Sequence, residues 1–276
     1  MSEMEEIVGS PFLNKLSGPE SRFEPLNSGN LRSDGRRPLE LRSFEAELTT
    51  HPSADGSASV SHGLTQVTAC VYGPREAKNR GLTMHDRALV NVEVSVAPWA
   101  GEMRRLRSRG DKRTLEFAAS IKSTFEPVIQ TTLYARSEID IHIHVLQLDG
   151  GLLQASINAT TLALVDAGVP MLDYVSSLSA GLYHTTAMLD LTSVEESDLP
   201  SVTVAVLPRS GKVTLVSMET RLHVDRFEEM FKLAMEGGKV LRGEMDRVVR
   251  ERTAALARQM EGGVALKEDD KMDTDL

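Results

Sequence analysis

From Ile139 to Val145 the chain alternates with a period of two, Ile139, Ile141, Ile143 and Val145 against Asp140, His142 and His144. On a helix this pattern would scatter its apolar groups around the axis, whereas a strand collects them on one face. The segment therefore reads as a strand with one face in a core and the other wet, and it commits the chain to a sheet. Phe44 to Leu48 and Ser57 to Val71 read as further strands, the second ending in Val67-Thr68-Ala69-Cys70-Val71 before a turn at Tyr72-Gly73-Pro74-Arg75. Ala88 to Ala97, with Leu89, Val90, Val92, Val94 and Val96, reads as a mostly buried strand. Strand signals return at Val175 to Leu182, Val202 to Leu207 and Val213 to Met218, the last two joined through Pro208-Arg209-Ser210-Gly211-Lys212 as a hairpin.

Helices separate these strands. Leu115, Ala118, Ile121 and Phe125 step at three and four residues and predict one helix, which Pro127 limits. Leu153 to Val165 is an apolar helix after Asp149-Gly150-Gly151, and it stops at Gly168 and Pro170. Phe227, Met230, Phe231, Ala234, Leu241, Met245, Val248 and Val249 form the stripe of a long last helix, with Gly237-Gly238 as a kink or close-packing point. Strands mixed with a few long helices specify an α/β or α+β layered domain with a mixed sheet.

Composition narrows the function classes. One cysteine in 276 residues excludes a disulfide scaffold and fits a reducing compartment. The start, Met-Ser-Glu-Met-Glu-Glu, lacks a basic n-region, and no stretch reaches the apolar length of about 20 residues that spans a bilayer. The formal charge of −9 is concentrated at the ends, −3 in residues 1–30 and −4 in residues 261–276, leaving −2 between them. Within that middle lie Arg104, Arg105, Arg107, Arg109, Lys112 and Arg113, a local excess that fits an anionic partner or a solvated face. Residues 1–30 read as an N-terminal arm, 31–260 as the folded domain and 261–276 as an acidic, disordered tail.

No phosphate loop of the Gly-x-x-x-x-Gly-Lys kind, nucleophile elbow or dinucleotide fingerprint is present. Cys70 sits in an alternating strand and reads as a small buried hydrophobe. His142 and His144 share a strand face but have no third ligand at metal-site spacing, so a groove or solvent face is the better reading, and no metal or cofactor is expected. Asp190, Glu195, Glu196 and Asp198 follow a strand, a position from which carboxylates reach a cleft, although a polar loop has the same appearance.

Six segments in order resemble the RNase PH family: Leu31-Arg32-Ser33-Asp34-Gly35-Arg36-Arg37, Ala54-Asp55-Gly56-Ser57, Val71-Tyr72-Gly73-Pro74-Arg75-Glu76, Tyr134-Ala135-Arg136-Ser137-Glu138-Ile139-Asp140, Val145-Leu146-Gln147-Leu148-Asp149-Gly150-Gly151 and Leu164-Val165-Asp166-Ala167-Gly168-Val169-Pro170. The resemblance runs from about Leu31 to the end of the last helix. It implies the RNase PH fold, of the ribosomal protein S5 domain 2-like type, with mixed sheets packed against helices. It also implies a place in a hexameric exosome ring of RNase PH-like subunits, capped by S1 and KH subunits. Such a ring threads single-stranded RNA to a hydrolytic 3′-5′ exoribonuclease, in nucleus, nucleolus and cytoplasm. No membrane is implied.

Active members of the family use inorganic phosphate to shorten the RNA 3′ end, holding it with a Ser or Thr and an Arg after the Asp-x-Gly turn. Here Gly150 and Gly151 are followed by Leu152 and Leu153, which supply neither hydroxyl nor guanidinium. Asp190 matches a family carboxylate, but Glu196 stands where active members carry a second Asp, and one more methylene moves a carboxylate by roughly 1.5 Å. The family's RNA-holding bases match Arg75, Lys112 and Arg113, with Arg104, Arg105, Arg107 and Arg109 expected to line the pore entrance. The expectation is a non-catalytic, RNA-binding ring subunit with Asp190 and Glu196 vestigial. The alternatives are a phosphate-dependent 3′-5′ exoribonuclease with residual activity and a ring member that never touches RNA.

Overall fold

The computed structural model describes residues 25–27, 29–76, 84–101, 104, 111–218 and 220–272, with side chains through Met260. The chain forms two compact units, Met1–Arg37 and Pro38–Leu276. In the first, Leu26 and Arg32 form an antiparallel bridge, and the following turn is closed by Gly35 N–H on Arg32 O and by an Arg36–Asp34 ion pair at 3.1 Å.

The second unit runs β1 (Phe44–Leu48), β2 (Gly56–His62), β3 (Thr65–Glu76), β4 (Leu89–Val96), α1 (Lys112–Phe125), β5 (Ser137–Gln147), α2 (Leu152–Asp166), β6 (Ser176–Tyr183), β7 (Thr186–Leu189), α3 (Ser193–Asp198), β8 (Ser201–Leu207), β9 (Lys212–Met218) and α4 (Val224–Met272). Five strands form one sheet in the order β1-β2-β3-β5-β4, antiparallel except for β4 beside β5, which α1 connects. Four form an antiparallel second sheet, β7-β6-β8-β9. Helix α2 packs on β2 and β3 of the first sheet and on β6 and β8 of the second, while α4 covers β6 and β8.

The alternating strand is β5, and Ile139, Ile141, Ile143 and Val145 are all fully buried, each contributing about 1.5–3 kcal/mol of burial. A helix between two sheets must satisfy any polar group it carries. On α2 the Asn158 side chain donates to Ser177 O at 3.0 Å and accepts from Ser177 N–H at 2.9 Å, while the Thr161 hydroxyl contacts Val175 O at 2.8 Å. Two of the motifs meet at the far end of α2. Asp166 accepts from the Thr49 hydroxyl and from Ser57 N–H, both at 2.9 Å, and Gly56 lies directly against the backbone of Ala163 and Ala167. Asp55 accepts from Gly73 N–H at 2.7 Å, so a third motif is tied to the same corner.

Several expectations need correction. Ser57 to Val71 is not one strand but the hairpin β2–β3, because Gly63 turns the chain at φ +60°. Strand β3 does not end at Val71 but continues through Glu76, with an irregular register between Tyr72 and Arg75. Strand β4 is half-buried, with Val90 its one buried residue, since only one side of it pairs. Leu115 is 60% exposed, because α1 buries Ala118, Ile121, Thr124 and Phe125 and its first turn projects past them. Asp140 on the wet face of β5 is buried. The short elements β7 and α3 carry no periodicity long enough to read. The glycine pair in α4 is a close-packing point, where a Cβ on Gly237 would sit 2.4 Å from Leu178 Cδ2. α4 continues as one element into the acidic segment as far as Met272.

Candidate functional site

Strand β5 delivers the chain to Asp149-Gly150-Gly151, which turns it into α2. Gly150 and Gly151 have φ of +75° and +61°, and Gly151 is the residue from which the helix starts. A Cβ at Gly150 would lie 2.6 Å from the Thr192 carbonyl carbon, so the turn is pressed against the start of α3. Thr65 clamps it from the side, its hydroxyl 2.8 Å from Gly150 O and 3.0 Å from Asp149 N. A helix N-terminus carries unpaired amides and the positive end of the helix dipole. Here one of those amides is taken: Gly151 N–H donates to Glu196 Oε2 at 3.0 Å. Glu196 is exposed on α3, while Leu152 and Leu153 lean onto the core.

Asp190 follows β7 in the left-handed region, at φ +57°, and is fully buried. Its carboxylate accepts from Arg42 N–H at 2.8 Å, Arg42 Nε at 2.9 Å, Arg42 Nη2 at 2.7 Å and Gln154 Nε2 at 2.7 Å. His62 Nε2 lies 3.1 Å from Oδ2, the oxygen that also accepts from Arg42 N–H. Burial pushes the Asp190 carboxyl up, but the hydrogen bond and charge of His62 and then those of Arg42 outweigh it, holding the group well below the ordinary carboxylate value. Arg42 also donates to Asp149 O at 2.6 Å, and Gln154 accepts from Ser179 N–H at 2.5 Å. Asp190 thus ties the segment before β1, the end of β2 and α2 to the second sheet, and has no exposed surface.

The basic residues lie elsewhere on the unit. Arg75, exposed at the end of β3, stacks its guanidinium 4.8 Å from the centre of the Tyr72 ring. With Asp140, His142 and His144 it lines an open groove on the outer face of the first sheet. His142 stands edge-on to Tyr72 at 5.5 Å and 3.3 Å from Glu93 Oε2. Lys112 and Arg113 are the first two residues of α1 and are exposed, with Lys112 Nζ 3.9 Å from Glu116. Arg104 is exposed; Arg105, Arg107 and Arg109 lie outside the described residues. Among the described residues no group of three or more His, Cys, Asp or Glu side chains is placed to hold a metal.

The structure therefore brings Gly150, Gly151, Leu152, Leu153, Asp190 and Glu196 to one corner. Sequence reasoning missed Arg42, His62, Gln154 and Thr65 there. Arg42 and Asp190 are 148 residues apart, and nothing around Leu41-Arg42-Ser43 announces a buried arginine.

Two sheets around a central helix, with the glycine turn at its head, define the two-domain architecture of the 3′ exoribonuclease family. Residues 40–170 match the model of its domain 1 (RNase_PH), and residues 173–237 match that of domain 2 (RNase_PH_C). The chain belongs to the RNase PH family. Within it the chain is 42% identical over 231 residues to the human exosome complex component RRP41, covering 83% of this chain and 94% of that one. It is 38% identical to exosome complex component SKI6 of Saccharomyces cerevisiae, with 83% and 94% covered. It is 44% identical to the Arabidopsis thaliana RRP41 homolog, with 85% and 98% covered. Among solved structures, rice Rrp46 superposes with a TM-score of 0.68 at 23% identity, covering 78% of this chain and 98% of that one. The Archaeoglobus fulgidus exosome with RNA bound to its active site superposes equally well, at 24% identity, over 78% and 93%. These two likenesses establish the RNase PH fold.

Proposed function

We propose that this protein is a non-catalytic ring subunit of an exosome core, which passes single-stranded RNA to an associated hydrolytic 3′-5′ exoribonuclease. The observation that carries this reading is the head of α2. Its amide is held by the chain's own Glu196 carboxylate, and the two residues that follow are leucines. An attacking phosphate would arrive as a second anion beside Glu196, with no hydroxyl or guanidinium from residues 152 and 153 to hold it. Asp190, which matches a family carboxylate, is consumed by Arg42, Gln154 and His62 and has no exposed surface. The exosome membership of the relatives supports ring neighbours, S1 and KH caps and a nuclease as partners, and residence in nucleus, nucleolus and cytoplasm.

The RNA path in this reading uses Arg75, Lys112 and Arg113, with the basic residues from Arg104 to Arg109 at its entrance. Charge without base readout suits a conduit that must pass any sequence. In the assembled ring, replacing both Lys112 and Arg113 with Ala is expected to weaken binding of an oligouridine about tenfold or more at low salt. It should also flatten the log-log salt dependence by about 0.7 unit per lost contact. Unchanged affinity and slope would leave the subunit a purely structural member of the ring.

A further inference from the structure

We propose that Trp99 is a stacking platform for a nucleobase of single-stranded RNA, an inference that rests on the RNA-conduit reading above. Trp99 is the one tryptophan of the chain, and it is 71% exposed. An indole turned to solvent leaves a large apolar surface unburied and invites a partner. It does not hang on a slack loop. Ala97 N–H donates to Val145 O at 2.9 Å, Leu148 N–H donates to Ala100 O at 2.8 Å, and Ala100 N–H closes the turn onto Ala97 O at 3.0 Å. Ala100 itself is buried. The turn is thus fastened from behind to the end of β5, and Leu148 leads straight into Asp149-Gly150-Gly151. The indole is held on a fixed backbone beside the strand end that feeds the head of α2.

The neighbouring sequence selects the occupant. Between Trp99 and Arg113 the sequence carries six bases, Arg104, Arg105, Arg107, Arg109, Lys112 and Arg113, against two acids, Glu102 and Asp111. An aromatic residue at the head of a basic stretch of sequence is the pairing that single-stranded nucleic acid uses, where bases stack on the ring and phosphates meet the cations whatever the sequence.

The test uses the full chain, whose indole emission comes from residue 99 alone. It is repeated in a reconstituted ring where only this subunit carries 5-hydroxytryptophan. Single-stranded oligouridine is expected to quench the emission, and an inorganic polyphosphate of matched charge, which has phosphates and no bases, is expected to leave it unchanged. Trp99→Ala should weaken RNA binding by about fivefold or more, and Trp99→Phe should keep it within about twofold. RNA that binds by anisotropy without touching the emission, and equally well to Trp99→Ala, overturns the stacking site while leaving the conduit reading intact. An emission that shifts to the blue on ring assembly, and that RNA then fails to change, assigns Trp99 to a protein contact and also overturns it. Absence of RNA binding at this subunit overturns both.

Discussion

Asp190→Ala is expected to destabilise the full chain by about 3–5 kcal/mol, the cost of removing one partner from a buried ion pair. The loss leaves Arg42 buried with a charge that Asp149 O and the Asp149 carboxylate, 3.9 Å away, only partly compensate. It also frees the Gln154 amide, which ties α2 to the second sheet. Urea unfolding monitored by circular dichroism measures it. A carboxylate kept for chemistry behaves in the opposite way, since active-site acids are usually neutral or costly to stability. An Asp190→Ala chain as stable as the parent would refute the structural assignment. The pH dependence follows from the direction of the shift. Because the folded carboxyl titrates below its unfolded value of about 3.9, its contribution is present above roughly pH 4 and is lost as pH falls from there through the folded pKa. Asp190→Asn removes that component, so stability of the variant falls less between neutral pH and pH 3 than that of the parent.

Gly56→Ala carries the second large effect. The added Cβ would sit 2.3 Å from Ala167 N and 2.5 Å from Ala163 O, backbone atoms at the C-terminal end of α2 and its capping residue. That helix is enclosed by the two sheets and cannot retreat, so the cost is at the upper end of overpacking, about 3 kcal/mol. Gly243 in α4 is the control: nothing lies within 4 Å of its Cβ position, and Gly243→Ala is expected to stabilise by up to about 1 kcal/mol through helix propensity alone. Thermal unfolding of the two variants should move the midpoint in opposite directions. A Gly56→Ala midpoint equal to the parent's would refute the packing account.

The sequence was most legible where the information is local. Residues Ile139 to Val145 state their strand outright because a period of two needs only a few side chains, α1 and α4 announce themselves by three- and four-residue steps, and α2 by an apolar run between glycine stops. The β2–β3 hairpin was hidden because small and β-branched residues run through it and only the φ of Gly63 breaks the run. Strand β7 has four residues and α3 has six, both shorter than any period can establish. The site divides in the same way. Gly150, Gly151, Leu152 and Leu153 are contiguous, and their departure from the family pattern is visible at once. The partners of Asp190 are not, since Arg42 comes from the segment before β1 and His62 from the end of β2, over a hundred residues away. The sequence places Asp190 and Glu196 close together, and only the fold shows one buried in an ion-pair network and the other at the head of α2.

The most direct measurement is 3′-end degradation of a single-stranded RNA by a ring containing this subunit and no hydrolytic nuclease, with and without inorganic phosphate. The account predicts RNA that binds and stays intact in both conditions, with no nucleoside diphosphate released. Diphosphates that appear only when phosphate is added, and that vanish with Glu196→Ala, would contradict it and make the head of α2 a working phosphorolytic site.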